Sequence, residues 1–267
     1  MIDELFHTFL YSMFLGFPRV AAAFTVIPFL GRRLLTSVII RNALALVISI
    51  FLMPLHEEVP PIIKQLSTLH FTFLILKEVF IGAIIGFLIA IPFWAIESVG
   101  FFIDNQRGAT LASSLNPLSG DQTSPLGLMF NQTLTVLFMS SGGFLLLCGL
   151  LFKSFVEWPL LDTRLSIRWS DALFFIKRLD EVMLLTVILS APVVIAMFLS
   201  EFCFAIANRF AQQLNVFILS MPVKSGVGFF ILVIYVSTLF YYIELDAFSI
   251  NNIFLRMDDM FFQDLRP

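Results

Sequence analysis

Charged residues are scarce in this sequence, and their scarcity excludes a water-soluble globular protein. Only 13% of the 267 residues are Asp, Glu, Lys or Arg, while 59% are hydrophobic; a typical soluble domain is about a quarter charged and roughly half apolar. Too few polar side chains remain to cover even one domain with a hydrated surface. Together with a mean hydropathy of +0.95, this composition predicts an integral membrane protein.

Basic runs and cysteine are also rare, and each shortage removes a class of function. The 16 Lys and Arg are outnumbered by 19 Asp and Glu and form no cluster of the kind that follows a phosphate backbone, so nucleic acid is not expected as a partner. The two cysteines, Cys148 and Cys203, lie in apolar stretches and predict neither a disulfide nor a metal site. We expect no cofactor.

The residue pairs that intramembrane enzymes need are missing as well. The turn from Ser140 to Gly143 is similar to the turn of an intramembrane serine protease but lacks its leading glycine. An intramembrane aspartyl protease needs two Asp inside its apolar helices, and here every Asp lies outside the apolar stretches. His56-Glu57 has no second His at the spacing of a zinc helix, and Pro60 would end a helix there. We therefore expect no enzyme and no catalytic residue.

Six apolar stretches approach or exceed the length of about 20 residues that a membrane-spanning helix needs. They are Leu5 to Leu30, Val38 to Leu55, Leu69 to Ile103, Leu128 to Phe152, Val182 to Ala207 and Gly226 to Ile243. Prolines interrupt several of them, so the predicted fold is an all-α membrane protein of about six long, partly broken helices with hairpins. The third stretch exceeds one span and favours a second arm or a re-entrant hairpin.

The orientation of these helices in the membrane cannot be read from charge. When the connecting loops are assigned alternately to the two sides, Lys and Arg divide almost evenly between them. The positive-inside rule needs a clear excess on one side. It therefore leaves the side of the termini open.

Six charged residues lie within or beside the apolar stretches: Arg19, Arg41, Lys77, Glu78, Glu97 and Glu201. Each costs several kcal/mol if it is left unpaired in lipid, so these residues either line an ion path or pair structurally, and structural pairing is the commoner case. Lys77 and Glu78 are neighbours in one helix and are expected to find partners elsewhere. Gly82 and Gly86, four residues apart, predict a close contact between helices.

A polar loop and a polar tail divide the chain. Residues 104–127 are rich in Gly, Ser, Asn and Pro but contain recurring leucines, which is typical of a loop that packs against protein. The predicted parts are an N-terminal helical half (1–103), this loop (104–127), a C-terminal helical half (128–243) and the tail (244–267).

The tail predicts an amphipathic helix that docks on protein. One face of this helix carries five apolar residues: Ile250, Ile253, Phe254, Met257 and Phe261. Residues 244–267 contain five acidic residues and only two arginines. Anionic lipid headgroups would repel such a helix, whereas membrane-surface helices normally carry Lys and Arg. We expect Phe254, Met257 and Phe261 to contact a protein partner.

Two long motif blocks match the pattern of a known family. The first comprises Lys77-Glu78, Gly82, Gly86, Pro92-Phe93-Trp94, Glu97, Gly100, Phe102 to Gly108, Pro117, Ser119-Gly120, Gln122 and Ser124 to Gly127. The second comprises Ala191 to Val194, Glu201, Asn208 to Ala211, Gln213 to Phe217 and Met221 to Ser225. With these blocks the chain resembles, over essentially its whole length, the T subunit of the type III secretion export apparatus, a family that includes flagellar FliR. The elements at 104–108 and 124–127 resemble the injectisome branch, and Gln212 departs from the Pro that the family favours.

The resemblance implies a fold and a function. The fold would look like a fusion of R-like and S-like export-gate subunits. The function would be that of a non-enzymatic structural subunit in the bacterial inner membrane, within the secretion-system basal body. It would assemble with the R and S subunits (SctR, SctS) and contact SctU and SctV. Unfolded secreted proteins would pass through the resulting conduit.

The resemblance also implies that the 104–127 loop helps to close the pore. The candidate residues for this role are Gln106, Arg107, Gly108, Leu111, Leu115, Pro117, Leu118, Ser124 and Pro125. A loop of small residues and a few leucines suits a plug that excludes water and is displaced by an unfolded chain.

A self-contained secondary transporter is the alternative function, because broken helices can build a substrate site at the bilayer midplane. The sequence shows no clear acidic cluster at such a midplane. Solubilisation in mild detergent separates the two functions. A gate subunit would be recovered with unlike partners, and a transporter alone or as a homo-oligomer.

Overall fold

The structure, a computed structural model, describes residues 2–31, 37–52, 68–108, 124–160, 169–210 and 216–247. Within these ranges the chain forms seven α-helices and one 3-10 turn, Pro28–Leu30, and no β-strand. The helices are α1 (Ile2–Val26), α2 (Val38–Leu52), α3 (Thr68–Gln106), α4 (Pro125–Ser140), α5 (Gly143–Glu157), α6 (Trp169–Asn208) and α7 (Val216–Ala247). The prediction of an all-α membrane protein is confirmed.

Among the described residues, fewer helices qualify as membrane spans than the sequence has apolar stretches. Three helical segments among the described residues are long and apolar enough to cross a membrane: Leu69–Gln106, Phe175–Asn208 and Leu219–Ile243. The bent pair α4 and α5 provides a fourth if it forms one broken span. The apolar parts of α1 and α2 are shorter. Each of the six stretches therefore contains helix, and within the described residues three or four segments qualify as spans by length and composition.

Proline interrupts fewer helices than the sequence suggests. Helices α1, α3, α6 and α7 each contain one proline and continue past it: Pro18, Pro92, Pro192 and Pro222. Helix α3 runs without interruption for 39 residues, so the expectation of a hairpin in the third stretch is wrong. A proline removes one backbone donor, and in apolar surroundings continuing the helix is the way to satisfy all the others.

The break occurs instead inside the fourth stretch, between α4 and α5. Gly142 lies at this break with φ of 82°, in the left-handed region that glycine enters without a steric penalty. The sequence signal was present in the Ser-Ser-Gly-Gly run at 140–143. Small residues in an apolar helix also suit close packing, and the run therefore did not by itself predict a bend.

The described residues group into two compact units. The first contains residues up to Ile91 and from Phe138 to Ala172, and the second contains Pro92–Leu137 and Leu173–Asn252. Each unit has a core of fully buried apolar side chains, among them Val20, Phe24, Ile85 and Leu147 in the first and Ile96, Phe130, Val193 and Leu239 in the second. The division of the chain into halves 1–103 and 128–243 stays a prediction.

Two glycines of α3 lie directly against α1 in the first unit. A Cβ atom on Gly82 would lie 2.0 Å from the Arg19 carbonyl oxygen, and one on Gly86 would lie 2.7 Å from the Ala23 carbonyl oxygen. No side chain fits at either distance. The two helices therefore approach backbone to backbone over one full turn, as the spacing of small residues predicts.

Candidate functional site

A cluster of three buried charges lies in the first unit and joins α1, α3 and the end of α5. The Arg19 Nε atom is 2.6 Å from Glu78 Oε2, and the Lys77 Nζ atom is 3.0 Å from Glu78 Oε1. Arg19 and Glu78 are 0% exposed, and Lys77 is 3% exposed. One carboxylate therefore bridges two cations, and the cluster is left with one excess positive charge.

The C-terminal end of α5 compensates this excess charge. Arg19 Nη1 donates to the Ser154 carbonyl oxygen at 2.6 Å, and Nη2 donates to the Trp158 carbonyl oxygen at 2.8 Å. Lys77 Nζ donates to the carbonyl oxygens of Pro159 and Leu160 at 2.9 and 3.1 Å. The last carbonyls of a helix lack partners within the helix and carry partial negative charge. Arg19 thus binds carbonyl oxygens of the last turn of α5 and of the residue after it, and Lys77 binds those of the two residues that follow. Together they fix this end of α5 to α1 and α3.

The expectation that Lys77 and Glu78 pair only with other elements is partly wrong. Each does have a partner elsewhere, but their charged atoms also form the 3.0 Å ion pair with each other. The rule that adjacent helical residues face apart holds for their Cβ atoms. A lysine side chain has four methylene groups and can fold back over the helix surface to reach its neighbour.

The remaining intramembrane charges are separate from this cluster. In the second unit, Asn131 Nδ2 donates to Glu97 Oε2 at 2.8 Å, and Lys224 Nζ lies 2.8 Å from Glu201 Oε2. Arg41 is half buried on α2, and its buried Nε atom has no hydrogen-bond partner among the described residues. Glu97 and Glu201 thus each have a partner on another helix, and the contacts described for them do not connect with the Arg19 cluster.

The second feature of interest is the base of the 104–127 loop, in the second unit, where α3 ends and α4 begins. Helix α4 starts with Ser124 as its N-cap and Pro125 as its first residue, a combination favoured at helix starts. The Gly127 amide donates to Ser124 Oγ at 2.9 Å. The Leu126 amide donates to Asp104 Oδ2 at 2.9 Å, and Ser124 Oγ donates to the same oxygen at 2.6 Å.

Asp104 is thereby a capping group for α4 supplied by α3. Its carboxylate is 1% exposed, and negative charge at a helix N-terminus is stabilised by the partial positive charge of the free amides. The other oxygen, Oδ1, forms an ion pair with Arg107 Nη2 at 2.7 Å. The Arg107 guanidinium lies over the ring of Phe229 in α7, 4.5 Å from its centroid. One carboxylate thus connects α3, α4 and, through Arg107, α7.

Two further glycines allow α3 and α4 to approach closely beside this carboxylate. A Cβ atom on Gly100 would lie 2.4 Å from the Gly127 backbone nitrogen, and one on Gly127 would lie 2.9 Å from the Glu97 carbonyl oxygen. Helix α3 then ends within the loop motif. Gly108 follows with φ of 85°, and its amide donates to the Asn105 carbonyl oxygen at 3.1 Å.

The other candidate residues divide into those inside and outside the described ranges. Gln106 is the last residue of α3, and Arg107 and Gly108 form the turn after it. The loop residues Leu111, Leu115, Pro117 and Leu118 and the tail residues Phe254, Met257 and Phe261 lie outside the described residues. Among the described residues, no group of three or more His, Cys, Asp or Glu could hold a metal ion.

Comparison with known proteins identifies the family. Residues 10–248 match the model of the family described as bacterial export proteins, family 1. The chain belongs to this family. It is 44% identical over 237 residues to Yop proteins translocation protein T of Yersinia pestis, an alignment that covers 88% of this chain and 89% of that protein.

Other relatives extend the comparison. The chain is 34% identical over 238 residues to surface presentation of antigens protein SpaR of Shigella flexneri, covering 89% of this chain and 90% of the relative. It is 30% identical over 255 residues to flagellar biosynthetic protein FliR of Bacillus subtilis, covering 94% and 93%. The resemblance to the T-subunit family of type III secretion is therefore confirmed. This bacterial export protein is a membrane component of a secretion apparatus.

Sequence reasoning missed several residues of the site. Asp104 appeared only as part of a family motif, and neither Ser154 nor Phe229 was singled out. The Ser-Pro dipeptide at 124–125 was a usable signal for a helix start. The contact that Asp104 makes with residues twenty and more positions away had no local signature, because nothing in the sequence states which helix ends meet.

Proposed function

We propose that this export protein is a structural, non-enzymatic subunit of the type III secretion export gate in the bacterial inner membrane. Together with R-type and S-type subunits it forms a conduit for unfolded secreted proteins, and the U and V components contact it. The observation that carries this proposal is the family match over residues 10–248. The relative named Yop proteins translocation protein T supports it over 88% of this chain.

The 104–127 loop, in this proposal, helps to close the conduit. Support comes from its base, where the Asp104 carboxylate, the Ser124 cap and the Gly100 contact fix both flanking helices. Its composition of small residues and scattered leucines suits a narrow passage between protein walls. A plug has to stay in place to block the passage of water and ions, and a base held by these contacts meets that requirement.

Exposed apolar surface supports assembly with other subunits. The most apolar segment of α6 is 28% buried within the chain, that of α7 is 22% buried, and that of α3 is 72% buried. The two helices that lie outermost by this measure must therefore be covered by lipid or by protein. No described contact builds a substrate site within the single chain, as a secondary transporter would need.

Deletion of loop residues 111–121 tests the plug. This change leaves Asp104, Ser124 and Pro125 in place, so the helix ends keep their contacts. We expect the complex to assemble and to conduct small ions across a planar bilayer, because the segment that fills the conduit is gone. The control is the complex with the wild-type chain, which is expected to stay at background conductance. Background conductance in the loop deletion, with the complex assembled, contradicts the plug.

Co-purification tests the partners independently of the plug. After solubilisation in mild detergent, an affinity-tagged chain should be recovered in fixed stoichiometry with unlike membrane proteins that include R-type and S-type subunits. Recovery of the chain alone, or only with copies of itself, contradicts a gate subunit and supports a transporter.

A further inference from the structure

The Asp104 carboxylate receives contacts from both ends of the segment 109–123. Arg107, just before this segment, pairs with Oδ1 at 2.7 Å. Ser124, directly after the segment, donates its hydroxyl to Oδ2 at 2.6 Å, and the Leu126 amide donates to Oδ2 at 2.9 Å. The two oxygens of one side chain thus hold the two ends separately.

This arrangement fixes the distance between the ends of the segment. Fifteen extended residues could reach roughly 50 Å, whereas here both ends lie within hydrogen-bond distance of one carboxylate. Closing a loop of this length carries an entropic penalty that grows only slowly with its length. Contacts at the base therefore determine where the segment starts and ends, whatever path it takes between.

A carboxylate is the side chain that this geometry requires. All three neighbouring groups present hydrogens to Asp104: the Ser124 hydroxyl and the Leu126 amide donate hydrogen bonds to Oδ2, and the Arg107 guanidinium forms an ion pair with Oδ1. Ionised Asp has two acceptor oxygens and no donor. An Asn at this position would turn its NH₂ group toward one set of donors and leave that set unpaired in a buried site.

We propose that Asp104 is a positioning residue for the 109–123 segment, a clamp that holds both of its ends at the junction of α3 and α4. Arg107 orients the carboxylate, and the ring of Phe229 supports Arg107 from α7. The inference deepens the proposed function and rests on it in one respect only. If the loop closes the conduit, the clamp sets the position of the closure.

Hydrogen exchange tests the clamp directly, without reference to conductance. The assembled complex is prepared with the wild-type chain, Asp104→Asn and Ser124→Ala, and backbone exchange is followed by mass spectrometry. Asp104→Asn should accelerate exchange in peptides covering 109–128 on the order of tenfold, because the Leu126 amide loses a charge-assisted bond. Ser124→Ala removes one of the two donors to Oδ2 and also the acceptor of the Gly127 amide, so it should accelerate exchange in the same peptides as well.

The matched control is Glu97→Gln, an acid-to-amide change two turns earlier in the same helix. The Asn131 side chain donates to the Glu97 carboxylate, and Gln keeps an acceptor oxygen for this bond. Exchange in 109–128 should remain as in the wild type. Asp104→Asn combined with Ser124→Ala should give less than the product of the single effects, since both changes remove one shared contact.

Three outcomes overturn the clamp. They are unchanged exchange in 109–128 for both Asp104→Asn and Ser124→Ala, an increase spread equally over α6 and α7, and full multiplicativity of the two changes. Conductance then separates the clamp from the proposed function. If the 111–121 deletion conducts ions but Asp104→Asn does not accelerate hydrogen exchange, only the clamp is contradicted. If Asp104→Asn accelerates hydrogen exchange but the complex with the 111–121 deletion does not conduct ions, the clamp is supported and the plug is contradicted.

Discussion

Arg19 shows how a single residue is made compatible with an apolar interior. Its guanidinium meets a carboxylate, two backbone carbonyls and the face of Phe155 at 4.1 Å. Each of its three nitrogens donates a hydrogen bond, Nε to Glu78 on α3 and the two Nη atoms to the end of α5. Such a charge contributes little net stability while it is paired, but it becomes a severe penalty once one partner is removed.

Replacing Glu78 with Gln is expected to destabilise the protein by about 3–5 kcal/mol. The change leaves Arg19 and Lys77 buried without the carboxylate that bridges them. Thermal unfolding in detergent, followed by circular dichroism, should show a marked fall in Tm.

The control for this variant is Glu181→Gln. Glu181 pairs with Arg178 one turn away on α6, and its side chain is 41% exposed, so its loss should change stability by less than about 0.5 kcal/mol. Equal Tm values for the Glu78 and Glu181 variants would show that the buried cluster does not hold the first unit together.

Gly100→Ala should destabilise the second unit by more than about 2 kcal/mol, because the added methyl group overlaps the Gly127 backbone, which cannot move without displacing α4. The matched control is Gly226→Ala in α7, where an added Cβ meets nothing within 4 Å. That control should be neutral or stabilising by up to about 1 kcal/mol, as expected for Gly to Ala in a helix. The comparison uses Tm of the two variants, and a Gly100 variant as stable as the Gly226 variant would contradict the close approach.

At the scale of helices, the contact between α1 and α3 depends on Gly82 and Gly86. Substituting either by Leu should prevent assembly of the complex, since the helices would have to separate by several ångströms and the Arg19 cluster would open. Recovery of the complex by affinity purification measures this. Val79→Leu is the control, because Val79 is an exposed position of the same helix. Normal recovery from both glycine variants would mean that this helix contact is dispensable.

The sequence predicted the type and the approximate position of the helices better than their continuity. Apolar stretches mark helices in a membrane because the backbone has no other way to satisfy its polar groups. The same requirement keeps α3 helical through Pro92, although the sequence suggested an interruption by proline and, in this stretch, a second arm or a re-entrant hairpin. At Gly142 the chain did bend. Local composition alone could not show that the helix would break at Gly142 and continue through Pro92.

The site was predictable where its signals were local. The spacing of Gly82 and Gly86 indicated a helix contact, and the Ser124-Pro125 pair is typical of a helix start. Two contacts were not predictable, those of Arg19 with Glu78 and of Asp104 with Ser124, because the partners lie 59 and 20 residues away. Such pairings arise from tertiary packing and have no period or spacing in the sequence.

At the scale of the whole molecule, α6 presents an apolar face that is longer than a membrane is thick. Leu173, Leu184, Ile195 and Ile206 follow one another at intervals of eleven residues, about three helical turns, and are 60%, 60%, 64% and 49% exposed. From the first to the last they extend over about 50 Å at 1.5 Å per residue. The hydrocarbon core of a bilayer measures about 30 Å. Lipid alone therefore cannot cover this face, even when the helix is tilted.

We expect protein to cover at least one of these four positions in the assembled complex. Single cysteines carrying nitroxide spin labels would be placed at each, in a chain in which Cys148 and the exposed Cys203 are replaced by Ser. Oxygen reports lipid contact and a water-soluble nickel complex reports aqueous contact. All four labels should be accessible in the isolated chain in detergent, because each of these side chains is exposed among the described residues. In the complex, at least one label should become inaccessible to both reagents. Four labels that each stay accessible to one reagent would mean that lipid and water cover the whole face, and α6 would then contribute nothing to assembly.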